Sequence, residues 1–115
     1  SVRLLYPGKK ITGVFQPHLF SRTKDFVDDF AIELSELDEL ILMPIYPARE
    51  EPMLGVNSDW LLSKCQNKLK SVKKPSEVLS ALSQFEEGVL LTIGAGDIDR
   101  LVPRIQELLT INLAD

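Results

Sequence analysis

Lys10-Ile11-Thr12-Gly13-Val14-Phe15-Gln16-Pro17-His18-Leu19-Phe20-Ser21-Arg22-Thr23 is the stretch whose reading settles the architecture. Lys10 to Gln16 is a short β-branched and apolar run, the composition of a strand. Pro17 ends it, because proline has no N–H to donate to a sheet ladder. From Thr23 to about Leu37 the apolar positions Phe26, Val27, Phe30, Ala31, Leu34 and Leu37 recur at helical spacing, with acids on the opposite face. A strand that feeds directly into an amphipathic helix opens an α/β alternation.

The alternation continues along the chain. Leu40-Ile41-Leu42-Met43-Pro44-Ile45 is continuously apolar, as expected for a strand covered on both faces of a parallel sheet. Residues 44–57 hold Pro44, Pro47, Pro52 and Gly55, show neither period, and predict a functional loop. Asn57 or Ser58 can cap a helix running to about Leu69; a weak strand follows near Ser71-Val72, and Pro75 opens another helix. Val89 to Ile93 predicts a further buried strand, and the last helix is expected from Asp97 to about Leu109. At the start, Val2 to Tyr6 reads as the last turn of a helix stopped by Pro7-Gly8, with no initiator methionine, so residues 1–115 are expected to be one domain excised from a larger enzyme. The pattern predicts a three-layer α/β/α domain with a mainly parallel sheet and right-handed crossovers.

Composition narrows the function. With 44% apolar and 26% charged residues, no apolar run near the ~18 residues of a membrane span and no signal peptide, the domain is expected in the cytoplasm, without membrane insertion. Thirteen basic against seventeen acidic side chains leave a net charge of −4, which argues against a nucleic-acid partner. Cys65 is the only cysteine and His18 the only histidine, so neither a disulfide within the chain nor a Cys/His zinc cluster can form. Cys65 falls in the pattern Leu61, Leu62, Cys65, Leu69, which predicts a core thiol. Lys64, Lys68, Lys70, Lys73 and Lys74 form a basic cluster, read as a solvated surface or, alternatively, as a docking helix.

Ligands of parallel sheets bind beyond the carboxyl ends of the strands. Three segments fall there: His18 and Arg22 after the first strand, Tyr46, Arg49 and Glu50 after the second, and Gly94 and Gly96 after the last. Arg22 and Lys24 sit near a helix N-terminus, where a cation is disfavoured by about 0.3–1 kcal/mol unless an anion also binds. Asp25, Asp28 and Asp29 offer an internal answer, so an anion site and a self-neutralised helix both stand. Arg22 can grip a carboxylate or phosphate through two parallel hydrogen bonds, and His18 can donate to the same anion or to a ribose. Arg49 can neutralise phosphate and Glu50 accept from an ammonium, unless the two form a surface pair with each other. Gly94-Ala95-Gly96-Asp97 reads as a tight turn plus helix cap rather than a dinucleotide turn, because the third glycine is missing and Asp97 would repel a pyrophosphate. No Gly-x-x-x-x-Gly-Lys-Ser/Thr loop occurs, so the chain alone is not expected to bind and cleave ATP efficiently.

Phe15-Gln16-Pro17-His18 with Ser21-Arg22-Thr23, Tyr46-Pro47-Ala48-Arg49-Glu50 and Gly94-Ala95-Gly96-Asp97 together resemble the C-terminal domain of the Mur ligase family, in its alanine-adding branch, over nearly the whole chain. The resemblance implies a Rossmann-like, amino-acid-binding domain preceded by a UDP-sugar-binding domain and a central P-loop ATPase domain. It implies an ATP- and Mg2+-dependent ligase of peptidoglycan synthesis, in which the UDP-N-acetylmuramate carboxylate is phosphorylated and the amine of L-alanine attacks the acyl phosphate. By that likeness His18 and Arg22 line the cleft toward nucleotide and incoming alanine, and Tyr46, Arg49, Glu50, Gly94 and Gly96 complete its wall. It places no catalytic residue and no metal ligand in this domain. Many relatives carry Arg-Tyr after the histidine where this chain has Leu19-Phe20, so no role for a cation at position 19 carries over. The alternative is a non-catalytic α/β anion-binding or regulatory module. A receiver-like module would want paired acids closing the first strand and a lysine closing the last, and Gln16-Pro17-His18 and Gly94-Ala95-Gly96 supply neither.

Overall fold

A computed structural model describes residues 10–83, 88–94 and 101–106. β1 (Ile11–Gln16) leads into two short helices, α1 (Phe20–Asp25) and α2 (Val27–Leu34). β2 (Glu39–Leu42), α3 (Ser58–Ser63), β3 (Leu69–Val72), α4 (Pro75–Leu82) and β4 (Val89–Gly94) follow, and residues 101–106 are again helical. The four strands form one sheet in the order β3-β2-β1-β4, and every pairing is parallel. The expected α/β/α architecture is therefore present, and the expectations for Ala95 to Asp97 and for Val2 to Gly8 lie outside the described residues.

The alternation of side chains along a strand builds the three layers. Ile11 and Phe15 of β1 with Leu40 and Leu42 of β2 face one side, where Val27, Ala31 and Leu34 of α2, Leu61 of α3, and Leu37 and Cys65 close over them. Val14, Ile41 and Met43 face the other, under Val78 and Leu82 of α4 and under Leu101 and Ile105. Leu40, Ile41, Leu42 and Met43 are all at most 1% exposed, so the first four residues of the apolar run are buried on both faces as anticipated, whereas Pro44 is exposed. Each such side chain contributes about 1.5–3 kcal/mol relative to an exposed one. Gly13 lies directly beneath Leu37, where a Cβ would collide with the leucine side chain.

Five expectations need correction. The helix foreseen from Thr23 to Leu37 begins at Phe20 and breaks at Phe26 (φ −116°, ψ 20°), which stands half-exposed and packs edge-on against Phe30 instead of joining the core. The strand foreseen to Ile45 pairs only to Leu42, with Met43 donating once more to the Phe15 carbonyl before Pro44 ends the ladder. α3 stops six residues before Leu69, because Lys70 Nζ takes up the carbonyls of Leu62 (3.1 Å) and Cys65 (2.9 Å) and Leu69 must pair with Glu39. The lysine cluster is thus spread over a helix end, a strand and a loop rather than along one docking helix. β4, foreseen as buried, is half-buried to exposed, since it is an edge among the described strands.

The helix starts follow the sequence more closely. Asn57 caps α3 by accepting from the Trp60 N–H (2.8 Å), a contact worth about 1 kcal/mol, and Glu77 accepts from Lys74 N (2.9 Å) before Pro75 enters α4. Cys65 is buried as expected; its thiol donates to the Leu61 carbonyl at 3.4 Å and burial pushes its pKa up. Asn67 ties α3 to the end of α2, its Nδ2 donating to the carbonyls of Leu34 (2.9 Å) and Leu37 (2.8 Å).

Four substitutions test this framework by chemical or thermal unfolding. Asn67→Ala is expected to lose about 1–3 kcal/mol, and Asn67→Asp more, because it turns an acceptor toward two buried carbonyls. Gly94 has φ +124° and a Cβ there would strike the Gln16 carbonyl oxygen, whereas Gly55 (φ +78°) has nothing within 4 Å. Gly94→Ala is expected to lose about 1–3 kcal/mol, and Gly55→Ala only about 1 kcal/mol, from backbone strain alone.

Candidate functional site

The chain runs outward from β1 through β2 to β3 and then returns to place β4 on the other side of β1. The strand order therefore reverses at β1, and in open α/β sheets the crevice at that reversal is where ligands bind. Gln16, the last residue of β1, pairs with Gly94 on one side. On the other its buried Nε2 donates to the Pro44 carbonyl at 3.2 Å. Gly94 thus lies directly against the segment that carries His18.

Beyond the sheet, two prolines should separate the chains, yet pairing resumes. Tyr46 N–H donates to the Pro17 carbonyl and Leu19 N–H to the Tyr46 carbonyl, both at 2.9 Å, making a parallel bridge between His18 and Tyr46. The two rings stack at 5.7 Å with 14° between their planes. The backbone therefore brings together His18 and Tyr46, two site candidates 28 positions apart in the sequence.

A second link closes further out. Glu50 accepts from Ser21 N (3.1 Å) and from Ser21 Oγ (2.5 Å), using one carboxylate oxygen for each. The Ser21 hydroxyl first, and its N–H second, hold the Glu50 carboxyl below the usual glutamate range. A turn closed by Glu50 N–H on the Pro47 carbonyl (2.9 Å) presents this side chain, with Ala48 at φ 54°. Leu19 also has a positive φ, 72°. Such conformations cost of order 1–3 kcal/mol in L-residues and persist where the surroundings hold them, commonly at functional sites.

These contacts resolve the charge question posed by the sequence. Because α1 begins at Phe20 and has six residues, Arg22 and Lys24 fall in its last turn, and the anion at its start is the chain's own Glu50. The nearby acids do not supply it, and Asp28 instead lies 3.9 Å from Lys64. The surface pair considered for Arg49 and Glu50 does not form, since Glu50 is engaged by Ser21. Arg22 and Arg49 are exposed and make no ion pair among the described residues. Gly96 lies outside the described residues.

Three residues that sequence reasoning passed over shape the site. Ser21 and Gln16 were legible only as polar residues beside a proline and a helix start, and nothing in the sequence marks Leu19 for a positive φ. Against the start of α1 opens a groove of about 510 Å³, lined by Phe20 and by the loop from Pro52 to Asn57, in which Leu54 is fully exposed. Among the described residues no group of three or more His, Cys, Asp or Glu side chains could hold a metal ion, and no helix is long and apolar enough to cross a membrane.

Comparison with known proteins gives one consistent set of relatives. No protein-family model matches the chain. It is 50% identical over 113 residues, 98% of its length, to a UDP-N-acetylmuramate–L-alanine ligase of Flavobacterium johnsoniae. It is 53% identical over 110 residues to the ligase of the same name in Phocaeicola vulgatus. Among solved structures, the UDP-N-acetylmuramate–alanine ligase MurC of Thermotoga maritima superposes with a TM-score of 0.64 at 25% identity, over 95% of this chain and 22% of that one. The chain spans about a quarter of the length of the curated relatives it matches. By sequence and by fold, it groups with the UDP-N-acetylmuramate–L-alanine ligases of the Mur ligase family, as the counterpart of their C-terminal domain.

Proposed function

We propose that this chain serves as the amino-acid-binding C-terminal domain of a three-domain cytoplasmic ligase that joins L-alanine to UDP-N-acetylmuramate in peptidoglycan precursor synthesis. The observation that carries this reading is the stacking of His18 on Tyr46, next to the Gln16–Gly94 pairing, at the point where the strand order reverses, in a chain about half identical to ligases of that name. The regulatory-module alternative finds no support, since β1 closes on Gln16 and β4 on Gly94 instead of on acids and a lysine.

ATP, as a substrate of the whole enzyme, supplies the phosphoryl group that activates the muramate carboxylate, with Mg2+ offsetting its charge. Neither has a complete site on this chain: it has no phosphate loop, and its described carboxylates do not gather into a metal site. Both are assigned mainly to the central domain, with this domain adding contacts from its edge. This domain's own work is positioning and electrostatics. Arg22 grips the carboxylate of alanine in a two-pronged hydrogen bond, and His18, backed by the Tyr46 ring, donates to the same anion or to the ribose. Arg49 neutralises phosphate, Glu50 belongs to the wall, and Gly94 and Gly96 let the backbone approach the ligand closely. Closure of this domain over its neighbour expels water that would otherwise hydrolyse the acyl phosphate.

The test is phosphate release by the full-length parent protein with ATP, Mg2+ and UDP-N-acetylmuramate, comparing L-alanine with glycine, L-serine and murein tripeptide. Release strongest with L-alanine is expected, and the absence of any amino-acid-dependent release overturns the proposal. In the same assay Arg22→Ala is expected to raise the KM for L-alanine about ten- to hundredfold while the domain stays folded.

A further inference from the structure

The segments leaving β1 and β2 are laced at two points. The inner one is the pair of backbone hydrogen bonds through Tyr46, and the outer one is the clamp of Glu50 on Ser21. Between them each segment carries one residue with positive φ, Leu19 and Ala48, a conformation that its surroundings must hold. Arg22 directly follows Ser21 and Arg49 directly precedes Glu50, so each jaw of the clamp bears an exposed guanidinium.

We propose that Glu50 is a positioning residue rather than a ligand for the alanine amine: by clamping Ser21 it fixes the Pro47–Glu50 turn against the start of α1, and so sets where Arg22 and Arg49 stand for an anionic substrate group. Both carboxylate oxygens are engaged by one serine, through an N–H and an O–H. Swinging out to reach an ammonium would release the turn and forfeit both bonds. The Ser21 hydroxyl thereby becomes part of the site although it touches no substrate. The consequence for alanine binding rests on the proposed ligase reading, whereas the clamp itself does not.

A double-mutant cycle in the full-length ligase separates the two roles. If Glu50 acts through Ser21, then Ser21→Ala and Glu50→Gln each raise the KM for L-alanine about tenfold with kcat within about twofold, the double variant is no worse than either, and Ser21→Thr, which keeps the hydroxyl, stays near wild type. A wild-type KM in Ser21→Ala beside a large loss in Glu50→Gln would mean that Glu50 meets the amine directly and would overturn the proposal. In the 115-residue chain, amide hydrogen exchange at Ser21 is expected to speed up about tenfold or more in Glu50→Gln, with the β1 and β2 amides unchanged. Unchanged exchange at Ser21 would remove the clamp whatever reaction the parent performs.

Discussion

Everything in this domain depends on β1 being laddered on both sides and covered on both faces. All six of its residues are buried, β2 and β4 pair with it in parallel, and apolar layers close above and below. A parallel ladder aligns carboxyl ends, so the segments that leave β1 and β2 emerge at the edge where β4 ends at Gly94. Ile11 and Asp38 fix the opposite edge, with Ile11 N–H donating to Asp38 Oδ2 (2.6 Å) and Asp38 N–H to the Ile11 carbonyl (2.9 Å). With that register held, His18 and Tyr46 follow their strand ends closely enough to meet.

The loops nevertheless do more than hang from the strands. Pro17 and Pro44 end the regular ladder, and the chain rebuilds pairing one step later through Tyr46, accepting positive φ at Leu19 and Ala48. Glu50 then closes the outer side by accepting from Ser21 at the start of α1, whose own basic residues lie in its last turn. Electrostatics within the chain and placement of the site are thus the same set of contacts. The groove from Phe20 to Asn57, with its exposed Leu54, lies beside this lacing and gives the domain an apolar margin next to its charged one.

Where sequence reasoning erred, a tertiary requirement outweighed a local period. The apolar stripe through Phe26 and Leu37 reads as one helix, but Phe26 breaks it and stays half-exposed. Leu61, Leu62, Cys65 and Leu69 fit one helical face, yet pairing of β3 with β2 claims Leu69, and Lys70 holds the shortened helix end. Helical spacing states which residues share a face if the helix persists. It carries no information on the competing ladder that ends it.

The sequence by itself determined the alternation of strand and helix, the apolar run that starts at Leu40, the helix starts at Asn57 or Ser58 and at Pro75, and the three segments that bear the site candidates. Those properties are local: periodicity, proline's missing donor and side-chain caps act within a few residues. Only the tertiary structure decided the order β3-β2-β1-β4, the stacking of His18 on Tyr46, and the partner of Glu50. Ser21 and Glu50 are 29 residues apart, and no local preference ties them. Their meeting follows from which strands lie side by side, which burial on both faces of the sheet selects for the chain as a whole.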